Sequence, residues 1–430
     1  MADVRLFCGL RYDARRVALR DVVCPPYDVI SAAEARVYRA NSPYNAVHLD
    51  MPLGDDESAG EDRYAQAAAK FVQWQREGIL VRDESPSLYV LEQEFHGPDG
   101  VPRKRRGFVG RLHLEEAASG VVLPHEHTNP GPRRDRLALL RATHANLSQV
   151  FLLYPDDGQQ VWRTLEESDR PPAAVSVRDG DGTLHTLRPA NGPRAQKAAA
   201  LLAGRSLIIA DGHHRYAAAL AYRDERRAAG DHSADWCTAY FCGMDDPGLA
   251  IFAAHRLLKD VDLPPLDEIR RRLAASFTIV AEVPTALDDP SALVGRLAGH
   301  GTGSVFGVVL ARERLALLVR LRDAGAVPRL IGQGLAPAVA SLPVTILHYL
   351  LLRDVFGVQP GASEGLIDYY PRPEEAFRSL RAGDHQLGVF LKAPSIEDVR
   401  RVAASGEAMP QKATYFFPKL LTGLVFDSLD

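Results

Sequence analysis

SLIIADGHHRYAAALAYRDERRAAG, residues 206–230, contains the strongest pattern in this chain of 430 residues. Its first five residues have the β-branched centre of a buried strand, and Asp211-Gly212 then ends that strand. The residues that follow are typical of a helix that ends at Gly230. The sequence therefore predicts a strand, a tight turn and a helix whose first turn contains two histidines and an arginine.

This turn has the chemistry of a phosphate site. A strand that ends in a tight turn points the unpaired N–H groups and the positive end of the next helix dipole at one place. His213, His214 and Arg215 lie in the first helical turn, where positive charge opposes the dipole, and an anionic ligand explains their position. A single Asp or His here would more often be a helix cap or a packed residue. Asp211, at the strand end, is also a candidate Mg²⁺ ligand, usually through water.

A second polar cluster, PHEHT at 124–128, ends the apolar run VVL. Glu126 is a candidate general base if burial or a neighbour tunes its pKa, although a lone loop carboxylate is more often exposed. The next helix-like segment contains four arginines that are compatible with phosphate binding but more typical of a solvated helix face: Arg133, Arg134, Arg136 and Arg141.

A third cluster, PQKATYFFPK at 410–419, combines Lys412, Thr414 and Lys419 with aromatic residues between prolines. Such a loop is able to close over a nucleotide. It is equally able to dock the C-terminal segment through its aromatic side chains, and the two interpretations are compatible.

Strand-like runs such as 45–49 and 87–95 alternate with helical stretches, which predicts an α/β (α+β) protein. The chain is too long for one ordinary domain. Four blocks are expected: an N-terminal α/β block at 1–110, a core with the PHE and DGHHR motifs at 111–260, an inserted α/β block at 261–345, and a segment at 346–430 that completes the nucleotide site.

Composition excludes several classes of protein. The formal net charge of -4 gives no attraction toward nucleic acid or anionic membranes, and no apolar run is long enough to span a bilayer. The N-terminus lacks the apolar core of a signal peptide, so a cytoplasmic protein is expected. Of the four cysteines, Cys237 and Cys242 flank a strand-like run, which favours packed thiols over a zinc half-site.

Familiar catalytic signatures are absent or misleading. The sequence has no G-x-x-x-x-G-K-[ST] motif, and no G-x-G-x-x-G opens a helix. Residues 361–365 match G-x-S-x-G, but Pro360 precedes them and no strand leads into them. A nucleophile elbow at Ser363 is therefore rejected.

IIADGHHRYAAAL resembles the phosphate-binding box of the ParB/sulfiredoxin superfamily, and its DGHHR form resembles the archaeal ADP-dependent free serine kinases. Those kinases have a Pro-His-Glu segment upstream, and a Lys-Ala-Pro segment followed by a Pro-Lys-x-Thr-type loop downstream. This chain has PHE at 124–126, KAP at 392–394 and PQKAT at 410–414 in the same order. The whole chain also resembles a large bacterial family with CPPYDVIS-like, PHEHT-like, DGHHRY and TYFFPKLLTGL segments.

The resemblance implies a ParB/sulfiredoxin-like nucleotide-binding core that transfers a phosphoryl group from ATP or ADP, with Mg²⁺, to the hydroxyl of free serine or a related hydroxy metabolite. It implies Glu126 as the catalytic base and Asp211 as its catalytic or metal-binding partner. The implied contacts to nucleotide are His125, Gly212, His213, His214, Arg215, Lys412 and Thr414. Nucleic acid and membranes are not expected partners.

Two other functions stay open. In a metal-dependent hydrolase, His125, His127, His213 and His214 would converge with Glu126 or Asp211 on a transition metal. In a ParB-like switch, the box would bind nucleotide without phosphorylating a metabolite. A switch of that kind needs a DNA-binding or partner element, and the net charge and the lack of a basic helix-turn-helix pattern count against it.

Overall fold

The computed structural model describes the chain apart from residues 53–61, 98, 127, 167–174, 285–288, 301–303, 333, 360–364, 411 and 430. The chain forms two compact units, one of Met1–Ala250 with Pro418–Asp430 and one of Ile251–Phe417. Both contain helices and strands, which confirms the predicted α/β class. The four sequence blocks and the ParB/sulfiredoxin-like topology of the core stay predictions. Ser363, of the rejected nucleophile elbow, lies outside the described residues.

The strands are, in chain order, β1 Val4–Arg5, β2 Leu10–Tyr12, β3 Leu80–Arg82, β4 Leu88–His96, β5 Pro102–His113, β6 Val122–Leu123, β7 Ala145–Asn146, β8 Val150–Tyr154, β9 Val175–Arg178, β10 Leu184–Ala190, β11 Leu207–Asp211, β12 Trp236–Gly243, β13 Ala250–Phe252, β14 His255–Leu258, β15 Phe277–Pro284, β16 Val305–Leu310, β17 Leu315–Leu321, β18 Ile367–Tyr370, β19 Leu387–Leu391, β20 Tyr415–Phe417 and β21 Asp427–Ser428.

The α-helices are α1 Leu19–Val22, α2 Ala32–Asn41, α3 Val47–Asp50, α4 Asp62–Arg76, α5 Pro130–Thr143, α6 Gln160–Glu166, α7 Gly192–Ala200, α8 His213–Ala228, α9 Leu266–Ser276, α10 Ser291–Gly299, α11 Val327–Ile331, α12 Pro337–Ala340, α13 Pro343–Ile346, α14 Pro373–Ala382 and α15 Ile396–Ala404. A π-helix, Leu347–Arg353, continues from α13. In the described part of the chain, no helix is both long and apolar enough to cross a membrane.

The first unit is built on a mixed sheet in the order β6-β11-β8-β12-β5-β4-β10-β9, with β1 paired to β5. The predicted buried strand is β11, and alternate residues such as Leu207 and Ile209 pack in the core that α6, α7 and α8 cover. Full burial of each such side chain contributes about 1.5–3 kcal/mol to folding. β9 and β10 form an antiparallel hairpin, and the connection between them contains Asp181-Gly182.

A separate core in this unit joins the N-terminal region to the end of the chain. Phe71 and Trp74 of α4 pack with Phe426, which precedes β21. The run at 45–49 lies in this region, and the expectation of a strand there is wrong, because α3 begins at Val47. The side-chain oxygen of Asn45 accepts a hydrogen bond from the Val47 N–H at 2.9 Å, a local bond that favours a turn over an extended strand.

The second unit has its own antiparallel sheet, in the order β15-β17-β16-β19-β14-β18. Its core contains buried residues of the sheet, such as Val309 and Phe390, and of the helices α10 and α14, such as Leu293 and Phe377. Ser395 caps α15 in a capping box with Asp398.

Candidate functional site

The two central motifs meet at one edge of the large sheet because β6 and β11 are parallel neighbours. Val122 pairs with Leu207, and Leu123 pairs with Ile208. The segment that begins at Pro124 and the turn that begins at Asp211 therefore leave the sheet in the same direction, side by side. This pairing brings together two sequence motifs that are 85 positions apart, from Glu126 to Asp211.

Gly212 makes the sharp turn between β11 and α8. Its φ is +90°, a left-handed conformation that favours glycine, and it is the N-cap of the helix. A Cβ atom on Gly212 would lie 3.0 Å from Nε of Arg215. The glycine therefore allows the guanidinium to lie against the turn at the start of α8.

Asp211 lies between two cations. Its Oδ2 accepts a hydrogen bond from Nη2 of Arg215 at 2.9 Å, and its Oδ1 accepts one from Nζ of Lys419 at 3.1 Å. Burial would raise the pKa of the carboxyl, but Lys419 and then Arg215 outweigh it and hold the pKa well below its usual range. The carboxylate is thus ionised at neutral pH and orients both cations.

The histidines tie the segment after β6 to the first turn of α8. The backbone N–H of His125 donates to Nε2 of His213 at 3.3 Å, and the backbone N–H of Asn129 donates to Nε2 of His214 at 2.8 Å. Because a backbone N–H can only donate, both Nε2 atoms must be acceptors, and both rings are neutral in this arrangement. The cation in the first turn of α8 is therefore Arg215, and His213 and His214 accompany it as neutral rings.

His125 is fully buried, and its Nδ1 lies 2.6 Å from the carbonyl oxygen of Ile209. The rings of His125 and His213 meet edge to face at 4.7 Å. Burial lowers the pKa of His125 to about 4. Burial, followed by the neighbouring His125, lowers the pKa of His213 well below its usual value. Glu126 follows His125 directly and is half-buried at the same edge.

Sequence reasoning missed the N-terminal contribution to this site. The guanidinium of Arg136 lies 3.8 Å from the centre of the Tyr27 ring, and its Nη1 donates to Asp50 at 2.8 Å. Arg136 is buried, so the predicted solvated helix face is wrong at this position. The Pro25-Pro26 pair was the available signal, since it predicts a fixed loop at Tyr27.

The same N-terminal loop acts on Arg215. Burial would lower the pKa of this guanidinium, but it is raised by four groups, in order of effect Asp211, Asp28, Tyr27 and Asp50. The loop after Pro26 therefore contributes to the electrostatics of the turn at Asp211.

Lys412 and Thr414 belong to the second unit. The carbonyl oxygen of Lys412 accepts a hydrogen bond from Nη2 of Arg256 at 3.0 Å, and Lys412 has a left-handed φ of +55°. Thr414 is half-buried. Their contact with nucleotide stays a prediction. The other lysine of the same motif, Lys419, is the one that reaches Asp211.

The residues at this edge do not fit a direct metal site. Each oxygen of Asp211 already contacts a cation, so Mg²⁺ bound directly to this carboxylate would be repelled by the positive charges of Lys419 and Arg215. Among the described residues, no three His, Cys, Asp or Glu side chains are arranged to hold a metal ion. His127, of the predicted histidine cluster, lies outside the described part of the chain. Cys237 and Cys242 are buried free thiols.

Comparisons with solved structures find distant similarities. A free serine kinase in complex with AMP has 15% identity and a TM-score of 0.34, over 72% of this chain and 88% of the other. A conserved hypothetical protein from Pyrococcus furiosus has 14% identity and a TM-score of 0.30, over 69% and 87% of the two chains. SbnI with a C-terminal truncation, from Staphylococcus aureus, has 9% identity and a TM-score of 0.34, over 70% and 82%.

A search of curated proteins gives no match. The family described as "Protein of unknown function (DUF1015)" matches residues 4–345, well over half of the chain. The match spans the Tyr27 loop, the Pro124–Glu126 segment and the turn at Asp211. The pairing of β6 with β11 brings the last two together, and Tyr27 acts on Arg215 of the same turn. The chain belongs to the DUF1015 family.

Proposed function

We propose that this protein is a small-molecule kinase, which transfers a phosphoryl group from ATP or ADP to the hydroxyl of free serine or a related hydroxy metabolite. One observation carries the proposal. The ends of β6 and β11 place the segment with Glu126 beside Asp211, which holds the cations of Arg215 and Lys419. A carboxylate for the hydroxyl of an acceptor and two cations for the phosphate of a donor would therefore lie next to each other.

The phosphate side of the proposed site consists of Arg215, Lys419 and the N-terminus of α8. Nε of Arg215 is buried and has no hydrogen-bond partner among the described residues. A buried donor without a partner is costly, and a phosphate oxygen would satisfy it. The two cations also offset the charge that develops on the phosphoryl oxygens during transfer.

The acceptor side is assigned to Glu126. Its carboxylate takes the proton of the acceptor hydroxyl while the hydroxyl oxygen attacks the terminal phosphorus. The bond from that phosphorus to the bridging oxygen of the nucleotide breaks, and the shortened nucleotide leaves with the electron pair. Asp211 keeps Arg215 and Lys419 in place during the transfer and is not assigned as a metal ligand. His213 and His214 would contribute as neutral Nδ1–H donors.

The metal-dependent hydrolase is the weaker alternative. Nε2 of His213 and Nε2 of His214 both accept backbone hydrogen bonds, and Nδ1 of His125 lies within hydrogen-bond distance of the Ile209 carbonyl oxygen. These ring nitrogens hold the site together and do not converge on one point that a metal would occupy.

The test is to incubate the purified protein with ATP or ADP, Mg²⁺ and a panel of hydroxy amino acids, and to follow phosphorus by ³¹P NMR. A new phosphomonoester signal that requires both nucleotide and acceptor supports the kinase. Inorganic phosphate that appears without an acceptor supports the hydrolase. Nucleotide binding by calorimetry, without any product, supports the switch and contradicts the kinase.

A further inference from the structure

Two fully buried side chains of the large sheet bind two consecutive carbonyl groups of the backbone at Lys419. Gln93 of β4 and Arg105 of β5 are 0% exposed. Nε2 of Gln93 donates to the carbonyl oxygen of Lys419 at 3.1 Å, and Nη2 of Arg105 donates to the carbonyl oxygen of Pro418 at 2.5 Å. The pair therefore fixes two consecutive carbonyl groups.

Gln93, Arg105 and His185 form one row across three adjacent strands. Gln93 lies directly opposite Arg105 on one side and directly opposite His185 of β10 on the other. Its Oε1 accepts from Nε of Arg105 at 2.9 Å, and its Nε2 lies 3.2 Å from Nδ1 of His185. These contacts fix the orientation of the amide, so its N–H groups face His185 and the Lys419 carbonyl.

Arg105 is unfavourable for the stability of the fold at this buried position. Every hydrogen bond that it donates in the described structure goes to a neutral oxygen, of Gln93 or Pro418. Its guanidinium otherwise lies on the rings of Phe151 and Tyr240, at 4.6 and 5.5 Å. A buried cation without a carboxylate is unfavourable for stability, and an apolar side chain would pack here at lower cost. A role other than packing explains its presence.

We propose that Gln93 and Arg105 are positioning residues, which hold Lys419 against Asp211 and thereby set the affinity of the site for nucleotide phosphates. The backbone of Lys419 is held by Gln93, and its ammonium group is held by Asp211. Its side chain is only 15% exposed, so it has little freedom to find Asp211 from another backbone position. That the ligand is a nucleotide rests on the proposed function, whereas the placement of Lys419 rests on geometry alone.

Gln93→Glu separates the positioning role from packing. The glutamate keeps an acceptor for Arg105 and supplies a counter-charge, so the fold should persist. It removes the N–H that binds the Lys419 carbonyl and places a carboxylate oxygen there instead. Gln196→Glu, an exposed change of the same chemistry on α7, is the matched control. Arg105→Lys, which shortens the reach to Pro418, is the second variant if Gln93→Glu does not fold.

The first measurement is the rate of amine acetylation at Lys419, followed by mass spectrometry without nucleotide, with Lys197 as an internal reference. Loss of one hydrogen bond should raise the rate at Lys419 by about 3- to 10-fold in Gln93→Glu and leave it unchanged in Gln196→Glu. An unchanged rate at Lys419 in folded Gln93→Glu overturns the positioning role, whatever the protein's function.

The second measurement is a double-mutant cycle with ADP and calorimetry. Gln93→Glu should weaken ADP binding by about 3- to 10-fold in the wild-type background and have no effect in a Lys419→Met background, because it acts through Lys419. Equal losses in both backgrounds overturn the proposal. If acetylation rises but even the wild-type protein binds no ADP, the proposed function fails and the positioning role stands.

Discussion

Nζ of Lys419 lies 3.1 Å from Oδ1 of Asp211, although 208 positions separate the two residues. The end of the chain belongs to the first unit, where β21 pairs with β7 and Thr422 pairs with Cys24. The C-terminal segment therefore adds a cation to an edge that the two central motifs form. The site therefore has at least three contributors, the two central motifs and the C-terminal segment.

Lys419→Met should weaken ADP binding by about 10-fold or more, because a hydrogen bond to a charged group contributes about 1.5–3 kcal/mol. Methionine keeps most of the length and the apolar body of the side chain. Isothermal calorimetry measures the change, and Lys197→Met, on the exposed face of α7, is the matched control. Equal affinities in the two variants would remove Lys419 from the phosphate site.

The strand, turn and helix from Leu207 to Ala228 are predictable because each rests on local chemistry. An apolar β-branched run forms β11, a glycine makes the left-handed turn, and a helical composition follows. The meeting of this turn with Glu126 depends on the parallel pairing of β6 with β11. β6 has only two residues, Val122–Leu123, and no sequence pattern specifies its partner or register.

The roles of His214 and Lys419 depend on contacts in the fold that a local sequence pattern does not specify. The sequence shows a histidine in a first helical turn, but its protonation follows from the Asn129 N–H that it meets in the fold. Lys412 and Lys419 lie in one motif and look alike in sequence, and only the fold shows that Lys419 reaches Asp211. Neither contact is encoded by spacing along the chain.

Gly212→Ala should lower both stability and nucleotide affinity. A left-handed φ costs an alanine about 1–2 kcal/mol, and the new methyl group would also press on Nε of Arg215 at 3.0 Å. Tryptophan fluorescence during urea unfolding measures the stability of the first unit, because all three tryptophans, Trp74, Trp162 and Trp236, lie in it.

Gly230→Ala is the matched control for this change. Gly230 follows the end of α8 with a φ of +77°, and a Cβ atom there would meet nothing within 4 Å. It should lose similar stability and keep the wild-type affinity for ADP. If Gly212→Ala also binds ADP as well as wild type, the turn does not place Arg215 for phosphate.

His125 should make the first unit less stable as the pH falls from about 6.5 to 4. Its pKa is about 4 when folded and near 6.5 when unfolded, so in this range the unfolded chain binds more protons and its population rises. Across this pH range, His125 should lower the free energy of unfolding of the first unit by about 3 kcal/mol. His213 acts in the same direction.

Urea unfolding at several pH values measures this dependence. Gln at position 125 does not titrate and keeps a donor for the Ile209 carbonyl, so His125→Gln should have a flatter stability profile than wild type. His232→Gln, at an exposed histidine, should keep the wild-type profile. Identical profiles in wild type and His125→Gln would contradict the buried neutral imidazole.

The most direct measurement of the proposed mechanism is the turnover number of Glu126→Gln in the ³¹P NMR assay, with the acceptor that the panel identifies. The amide keeps the shape of the side chain and removes the base, so kcat should fall by about 10²- to 10⁴-fold while ADP affinity stays near the wild-type value. Glu84→Gln, at an exposed glutamate of the same unit, should retain full activity. Wild-type turnover in Glu126→Gln would contradict the assignment of this carboxylate as the base that activates the acceptor hydroxyl.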